Sequence, residues 1–268
     1  MQPFLKRCAA TAGDVRFHIA HTAAYYDREE LLSSVSHIHD CHEIYVKIAG
    51  DVSFFHGSDL FALENCDVIL SRPGDVHHCV YHAPCIHDHW CLWFSGDALG
   101  QYVEEHGLFG AIRLNAAGKR ELLTTLTALE GENDPFAQTW RLMQLLTVFQ
   151  KHSEQAAPPT ENYPNKLRQI LQRIDEQFTT IDSVEQLARD CFLSVATVNR
   201  LFRQHVKLTP HKLIEAKRLS FAEQLLRRGH SVTEACYQAG FKDCSRFIRK
   251  FKEKFGVTPY RYKQRHDG

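Results

Sequence analysis

The sequence predicts an α+β protein with a β-rich amino-terminal domain and an all-α carboxy-terminal domain. Short apolar segments separated by Gly, Pro, Asp and Asn predict strands over residues 15–95. Apolar residues at helical spacing predict helices from residue 116 onward. The charge also changes sign along the chain. Residues 1–163 hold 11 Lys and Arg against 21 Asp and Glu, whereas residues 164–268 hold 21 against 11.

The bulk composition is that of an ordinary globular protein of two domains. The chain has 268 residues, of which 44% are hydrophobic and 24% charged. No apolar run has the length of a membrane span, and residues 1–14 lack the apolar stretch of a signal peptide. We therefore expect a cytoplasmic location and no membrane partner.

The chain has nine cysteines and no CxxC pair, which indicates free thiols in a reducing compartment. Cys85, His87, His89 and Cys91 alternate, so a strand would place them on one face. A metal site there is the alternative to free thiols, but nothing else in the sequence has zinc-finger spacing.

Four regions follow along the chain. We predict a β-rich domain over residues 1–115, a helical region over 116–151, a linker over 152–165 and a basic helical domain over 166–268. The helical region either packs on its own domain or forms a dimer interface. The predicted strands are Glu43–Ile48, Val52–Phe55, Asp67–Leu70 and Trp90–Phe94.

The carboxy-terminal region contains an internal repeat. Ser183-Val184 recurs as Ser231-Val232 at an offset of 48, and Thr209-Pro210 recurs as Thr258-Pro259 at an offset of 49. Each copy reads as a short capped helix, a turn and a second helix with basic residues, which predicts two helix-turn-helix units. Residues that begin or end helices support this reading: Ser183 with Gln186, Ser194, Thr209 with Pro210, Ser231 with Glu234, Asp243, and Gly256.

The second helix of each unit has one apolar stripe, formed by Val198, Leu201 and Phe202 in one copy and by Phe247, Phe251 and Phe255 in the other. The remaining faces carry Arg, Asn, Ser and Lys, which suit base edges and phosphates in a major groove. We predict DNA contacts from Ala196, Thr197, Asn199, Arg200, Arg203, Ser245, Arg246, Arg249 and Lys250.

These residues resemble the AraC family of transcription regulators over about Ser183 to Lys263, most clearly in GFKDCSRFIRKFKEKFGVTPYRY. The resemblance implies a double helix-turn-helix domain that binds double-stranded DNA, a homodimer, and RNA polymerase as a further partner. The family usually has glycine after the first recognition helix, where this chain has Lys207. We therefore expect a differently built turn there.

The amino-terminal domain resembles a cupin barrel. His37, His39, Glu43 and Gly50 match the first cupin motif, and the run from Pro73 to His77 matches the second. The resemblance implies a small β-barrel that binds an effector, frequently a sugar. His37, His39, Glu43 and His77 are the predicted effector set, together with Tyr45 and Trp93; Phe55 and Trp90 are further stacking candidates. The same three imidazoles and carboxylate suit a divalent transition metal, and a metal is a second interpretation of the set.

We therefore expect an effector-responsive transcription regulator that is not an enzyme. The alternative is a metal-dependent cupin enzyme fused to a DNA-binding domain. The sequence contains no phosphate loop of the GxxxxGK[ST] type and no serine elbow of the GxSxG type, so the enzyme alternative depends on the cupin residues alone. A pure interaction module built on residues 116–151 is a third possibility, but it leaves the basic repeat unexplained.

Overall fold

The computed structural model describes residues 4–12, 15–26, 37–154, 159, 164–206 and 208–264. The chain forms two compact units, Met1–Asn162 and Tyr163–Gly268. The division falls inside the segment predicted as a linker. Within the described ranges, no helix has the length and apolar character needed to cross a bilayer.

The first unit is built on two antiparallel sheets. Its strands are β1 (Phe4–Ala12), β2 (Val15–Tyr26), β3 (His42–Ala49), β4 (Val52–His56), β5 (Asp59–Ala62), β6 (Val68–Ser71), β7 (His77–Tyr81), β8 (Cys85–Ser95) and β9 (Gly110–Ile112). The larger sheet has the order β1-β2-β8-β3-β6-β9, and the smaller has the order β5-β4-β7.

The strand pairing that the structure describes gives two open sheets, where we expected a closed barrel. Strands β4, β5 and β7 pair only with one another, and β1 forms a long hairpin with β2 at one edge of the larger sheet. A single bridge between His37 and His77 joins the loop before β3 to the smaller sheet. Buried residues of both sheets, among them Tyr45 and Ile69 of the larger sheet and Phe54 of the smaller, pack in one apolar cluster.

The two faces of the larger sheet have opposite character because side chains alternate along each strand. Ile44, Val46, Leu92 and Phe94 lie on one face and belong to a buried apolar core. Glu43 and Tyr45 lie on the other face of β3, opposite Trp93 and Cys91 of β8. The polar candidates thus share one face.

Helices cover the apolar face. They are α1 (Asp97–Glu105), α2 (Ala116–Gly131) and α3 (Pro135–His152). Leu126 and Leu146 join the same core as the sheet, so α2 and α3 pack on their own unit. The two helices confirm the helical prediction for residues 116–151. Phe136 and Trp140 remain 76% and 57% exposed, however, which leaves part of α3 uncovered.

The second unit is helical throughout its described residues. Its helices are α4 (Asn165–Gln177), α5 (Val184–Asp190), α6 (Val195–Leu201), α7 (Pro210–Arg227), α8 (Val232–Gln238), α9 (Cys244–Phe255) and α10 (Pro259–Gln264). A turn of π-helix, Phe202–Val206, extends α6. Lys207, where we expected an unusual turn, lies outside the described residues.

The predicted helix caps are largely confirmed. Ser194, Thr209 and Asp243 each accept backbone N–H groups at the start of a helix, and Gly256 ends α9 at φ 75°. Ser231 and Glu234 form a complete capping box. In the first copy only half of the box is present, because the Gln186 side chain accepts from Asp182 N instead.

Candidate functional site

The first recognition helix presents one buried and one exposed face. Val198 and Phe202 are 0% exposed, so α6 packs by the predicted apolar stripe. Asn199, Arg200 and Arg203 are exposed, Arg203 lying in the π-helical extension. Ala196 is exposed as well, whereas Thr197 is half-buried and its hydroxyl lies 2.9 Å from Ser194 Oγ. The free polar groups of this face are therefore mainly Asn199 and the two arginines.

The second recognition helix, α9, has the same design and more positive charge. Phe247 and Phe251 are fully buried, whereas Ser245, Arg246 and Arg249 are exposed. Asp243 caps the helix by accepting from the backbone N–H groups of Ser245 and Arg246 at 2.7 and 3.2 Å. This cap fixes the first turn, from which two of the predicted DNA contacts extend.

Sequence reasoning missed a carboxylate beneath this helix. Glu215 of α7 lies 3.6 Å from Arg246 Nη2 and 3.4 Å from Lys250 Nζ. Lys250 also lies 3.2 Å from Glu253, and the contacts with Glu253 and Glu215 raise the pKa of Lys250. No sequence pattern indicates the Glu215 contacts, since they arise where α7 passes α9. Glu215 competes with any anionic ligand for these two cations.

Contacts within the second unit fix its two halves to each other. Arg218 of α7 donates to the backbone carbonyls of Phe178 and Ile181 at 2.8 and 2.7 Å. Lys217 is 8% exposed and lies 2.8 Å from Asp175 of α4. The long helix α7 is therefore anchored to the first half at several points, so the two recognition helices share one scaffold.

In the first unit, three of the predicted residues converge on one carboxylate. His39 Nε2 and His77 Nε2 both lie 2.9 Å from Glu43 Oε2, and Trp93 Nε1 donates to the same oxygen at 2.9 Å. Glu43 is 4% exposed. Both His37 and His39 precede β3, which begins at His42. The loop before β3 brings His39 to Glu43.

The electrostatics of this cluster favour an ionised carboxylate. Burial opposes the charge on Glu43, but contacts with His39 and His77 outweigh burial and hold its pKa well below the usual range. Burial together with His77 and His39 lowers the pKa of His37. The Glu43 carboxylate is therefore a buried anion beside imidazole and indole nitrogens, which makes this cluster a polar site in the interior of the unit.

The donor set also fits a divalent transition metal. Ligand atoms of His39, Glu43 and His77 lie within 4.8 Å of one another, and nitrogen and oxygen donors suit such ions. Although His77 Nε2 is close to Glu43, it has no partner in hydrogen-bond geometry, and its Nδ1 lies 3.1 Å from the Asp75 carbonyl oxygen. His37 was predicted as a fourth ligand, but it is exposed and not part of this convergent group.

A second polar network lies on the same face of the larger sheet. His87 is 0% exposed, and its two ring nitrogens lie 2.7 Å from Tyr45 Oη and 2.9 Å from Tyr81 Oη. The His89 ring stacks on His87 at 4.1 Å. Burial lowers the pKa of His87 to about 2, so the ring is neutral. The predicted residue Tyr45 is therefore part of a satisfied buried network.

The two further stacking candidates have structural roles. Trp90 is 5% exposed, belongs to the apolar core and stacks on His21 at 4.2 Å. Phe55 is fully buried and packs against His78. Only Trp93, among the tryptophans proposed, contacts Glu43 directly.

Comparison with known proteins shows that the helical unit is similar to helix-turn-helix domains. A family of helix-turn-helix domains matches residues 187–265. The HTH-type transcriptional activator RhaS of Escherichia coli (strain SE11) is 32% identical over 153 residues, which cover 56% of this chain. The chain spans about half the length of this relative, with 54% covered.

Solved structures give weaker likenesses. A probable AraC family transcriptional regulator from Rhodopseudomonas palustris CGA009 is 25% identical, with a TM-score of 0.35, covering 38% of this chain and 98% of the other. ToxT from Vibrio cholerae O395 is 12% identical, with a TM-score of 0.39, covering 96% of this chain and 100% of the other.

Proposed function

We propose that the chain is an AraC-type regulator that controls transcription by binding double-stranded DNA through both recognition helices of its helix-turn-helix domain. The observation that carries the proposal is the shared design of α6 and α9. Each helix buries an apolar stripe and exposes arginine with Asn or Ser, which suits base edges and phosphates. The excess of positive charge in residues 164–268 supports the same surface.

The experiment measures DNA affinity of the full-length chain on duplexes selected from a randomised pool. Log affinity is expected to fall steeply with log salt, because each neutralised phosphate releases counterions. Arg200→Ala and Arg249→Ala are each expected to weaken binding roughly tenfold, the cost of one good base contact. Lys166→Ala is the control, since Lys166 is an exposed cation in the first turn of α4 and belongs to neither recognition helix. Affinity that is independent of salt, or unchanged in both arginine variants, would contradict the proposal.

The first unit is proposed to sense a small polar molecule, of which a carbohydrate is the favoured class. Glu43, with His39, His77 and Trp93 around it, supplies a buried anion, imidazoles and an indole on one face. Carboxylate and imidazole groups hydrogen-bond hydroxyls, and an indole ring provides a stacking surface. The cupin-like character of this unit and the metal interpretation of the same residues belong to this proposal.

A thermal-shift screen tests the sensing site. Sugars and divalent metal salts are added separately, and a ligand of the folded state raises the melting temperature. All three tryptophans, Trp90, Trp93 and Trp140, lie in the first unit, so tryptophan fluorescence follows this unit alone. A shift present in the wild type and absent in Glu43→Gln supports the site; Asp51→Asn, an exposed carboxylate of the same unit, is the control. Equal shifts in all three proteins would place the ligand elsewhere.

The enzyme alternative gains no support, since the curated relative is a transcriptional activator.

A homodimer is also proposed, and the exposed face of α3 is the surface that fits it. Phe136, Trp140 and Met143 follow one another at helical spacing and are 76%, 57% and 40% exposed. Such an apolar stripe is typical of an interaction surface.

A further inference from the structure

Two cysteines of the second helix-turn-helix unit lie with their sulfur atoms in contact. Cys236 belongs to α8 and Cys244 is the first residue of α9, and their Sγ atoms are 2.9 Å apart. Cys236 is 0% exposed in the core of the unit, whereas Cys244 is half-buried. A disulfide bond is about 2.05 Å long, so bond formation requires an approach of less than about 1 Å.

The internal repeat indicates that the packing does not require thiols. At the offsets of 48 and 49, the first helix-turn-helix copy has Ala188 in place of Cys236 and Val195 in place of Cys244. Ala188 is 1% exposed, so the equivalent position is also buried. The thiol pair is therefore particular to the second helix-turn-helix copy, and the first copy supplies replacements that fit the same fold.

We propose that Cys236 and Cys244 form a peroxide-responsive dithiol whose oxidation to a disulfide repositions the first turn of the recognition helix α9. The pair is poised for this reaction by distance, and its two members differ in access to solvent. Cys244 is the thiol that a dissolved oxidant reaches first. Burial raises the pKa of Cys236, which keeps this thiol protonated and makes it the less reactive of the two toward peroxide.

The chemistry balances with hydrogen peroxide as the oxidant. The sulfur of Cys244 attacks one peroxide oxygen, the O–O bond breaks, and Cys244 becomes a sulfenic acid while one water leaves. The sulfur of Cys236 then attacks Cys244 Sγ, the S–S bond forms, and the S–O bond breaks. The hydroxide leaves with the Cys236 proton as a second water. Two thiols lose two electrons and one peroxide is reduced to two waters.

The consequence for DNA binding rests on the proposed function, whereas formation of the disulfide does not. Cys236 is fixed in the core, so most of the movement that brings the two sulfur atoms together must come from Cys244, the first residue of α9. The Asp243 cap and the adjacent Ser245 and Arg246 move with it. Residues at the start of a recognition helix contact base edges. We expect the disulfide to weaken selective DNA binding by roughly tenfold, the loss of one good base contact.

The first test asks whether the bond forms in the full-length protein. The chain is treated with hydrogen peroxide, free thiols are alkylated, and tryptic peptides are analysed by mass spectrometry. Trypsin cleaves after Lys242, between the two cysteines, so a disulfide joins two separate peptides. We expect a linked pair in the wild type and in Cys191→Ser, which removes a half-buried cysteine of the first helix-turn-helix copy. No linked pair in the wild type overturns the proposal.

The second test measures DNA affinity before and after oxidation, on duplexes selected with the reduced protein. The wild type is expected to lose roughly tenfold in affinity and to recover it with dithiothreitol. The double variant Cys236→Ala with Cys244→Val carries the residues of the first helix-turn-helix copy and is expected to bind equally under both conditions. A linked pair without loss of affinity, or the same loss in the double variant, refutes the repositioning. If even the reduced protein shows no selective binding, the proposed function fails, and the linked peptides still decide whether the dithiol exists.

Discussion

Gly240 meets the backbone of Thr179 so closely that a Cβ on the glycine would lie 2.1 Å from the Thr179 carbonyl oxygen. Gly240 follows α8 and has φ 84°, and Thr179 follows α4. This contact joins the turn of the second helix-turn-helix unit to the start of the first. Only a residue without a side chain permits it, because a Cβ would strike backbone atoms that cannot move independently.

Gly240→Ala is expected to destabilise the second unit by about 3 kcal/mol or more, through the clash and the left-handed backbone together. The control is Gly229→Ala, which has φ 86° but nothing within 4 Å of an added Cβ. That variant carries only the backbone strain and is expected to lose about 1 kcal/mol. Urea unfolding followed by circular dichroism at 222 nm reports the helical unit. Equal losses in the two variants would show that the contact with Thr179 is unimportant.

Glu215→Gln is expected to strengthen DNA binding severalfold at low salt. Glu215 is in ion-pair contact with Arg246 and Lys250, and its neutralisation removes an anion that competes with phosphates for both cations. The measurement is the dissociation constant of the full-length chain on selected duplexes at two salt concentrations. Glu185→Gln is the control, because it removes the same charge from an exposed position in the first turn of α5. Weaker binding in Glu215→Gln would instead mean that Glu215 positions Arg246 for its contact.

Trp140→Glu is expected to convert the proposed dimer to a monomer. A charge at the centre of the exposed stripe of α3 would have to be buried without a partner in the interface. Sedimentation velocity of the full-length chain measures the change. Tyr25→Glu, which alters a 54% exposed aromatic residue on β2, should leave the state unchanged. A wild type that sediments as a monomer at micromolar concentration rules out the α3 interface.

Acid is expected to destabilise the first unit through His87. Burial holds the folded-state pKa of His87 at about 2, below the ordinary value of 6.5. The contribution of neutral His87 to the free energy of unfolding is therefore fully present above pH 6.5. It is lost as the pH falls from 6.5 toward 2, because the His87 side chain of the unfolded chain binds a proton in this range and that of the folded chain does not. The loss from this group is about 1.4 kcal/mol for each pH unit below 6.5.

The variant His87→Gln keeps polar contacts but does not titrate, so its melting temperature should fall less between pH 7 and pH 5. His106→Gln, at an exposed position after α1, is the control and should behave like the wild type. Tryptophan fluorescence provides the melting curves of this unit. Identical pH dependence in the wild type and His87→Gln would show that the buried ring does not control acid stability.

The sequence was most informative where local rules decide the structure. Helix caps, a 3.6-residue apolar period and the repeat offset depend on neighbours within one or two turns. The bounds of α9 and the buried stripes of both recognition helices therefore agree with prediction. The pairing of the strands into two open sheets, in place of the expected barrel, was not predicted. Pairing between distant segments depends on register and on which strands lie at the edges, and a single sequence does not specify either.

By itself, the sequence determined the two-unit organisation, the helix-turn-helix repeat and the segregation of positive charge into residues 164–268. Only the tertiary structure decided that ligand atoms of His39, Glu43 and His77 converge while those of His37 lie outside the group, that Glu215 lies beneath α9, and that Cys236 touches Cys244. The reason is physical. Periodicity assigns a side chain to a face, but a contact between two faces depends on how whole elements pack, and packing is specified by many distant side chains at once.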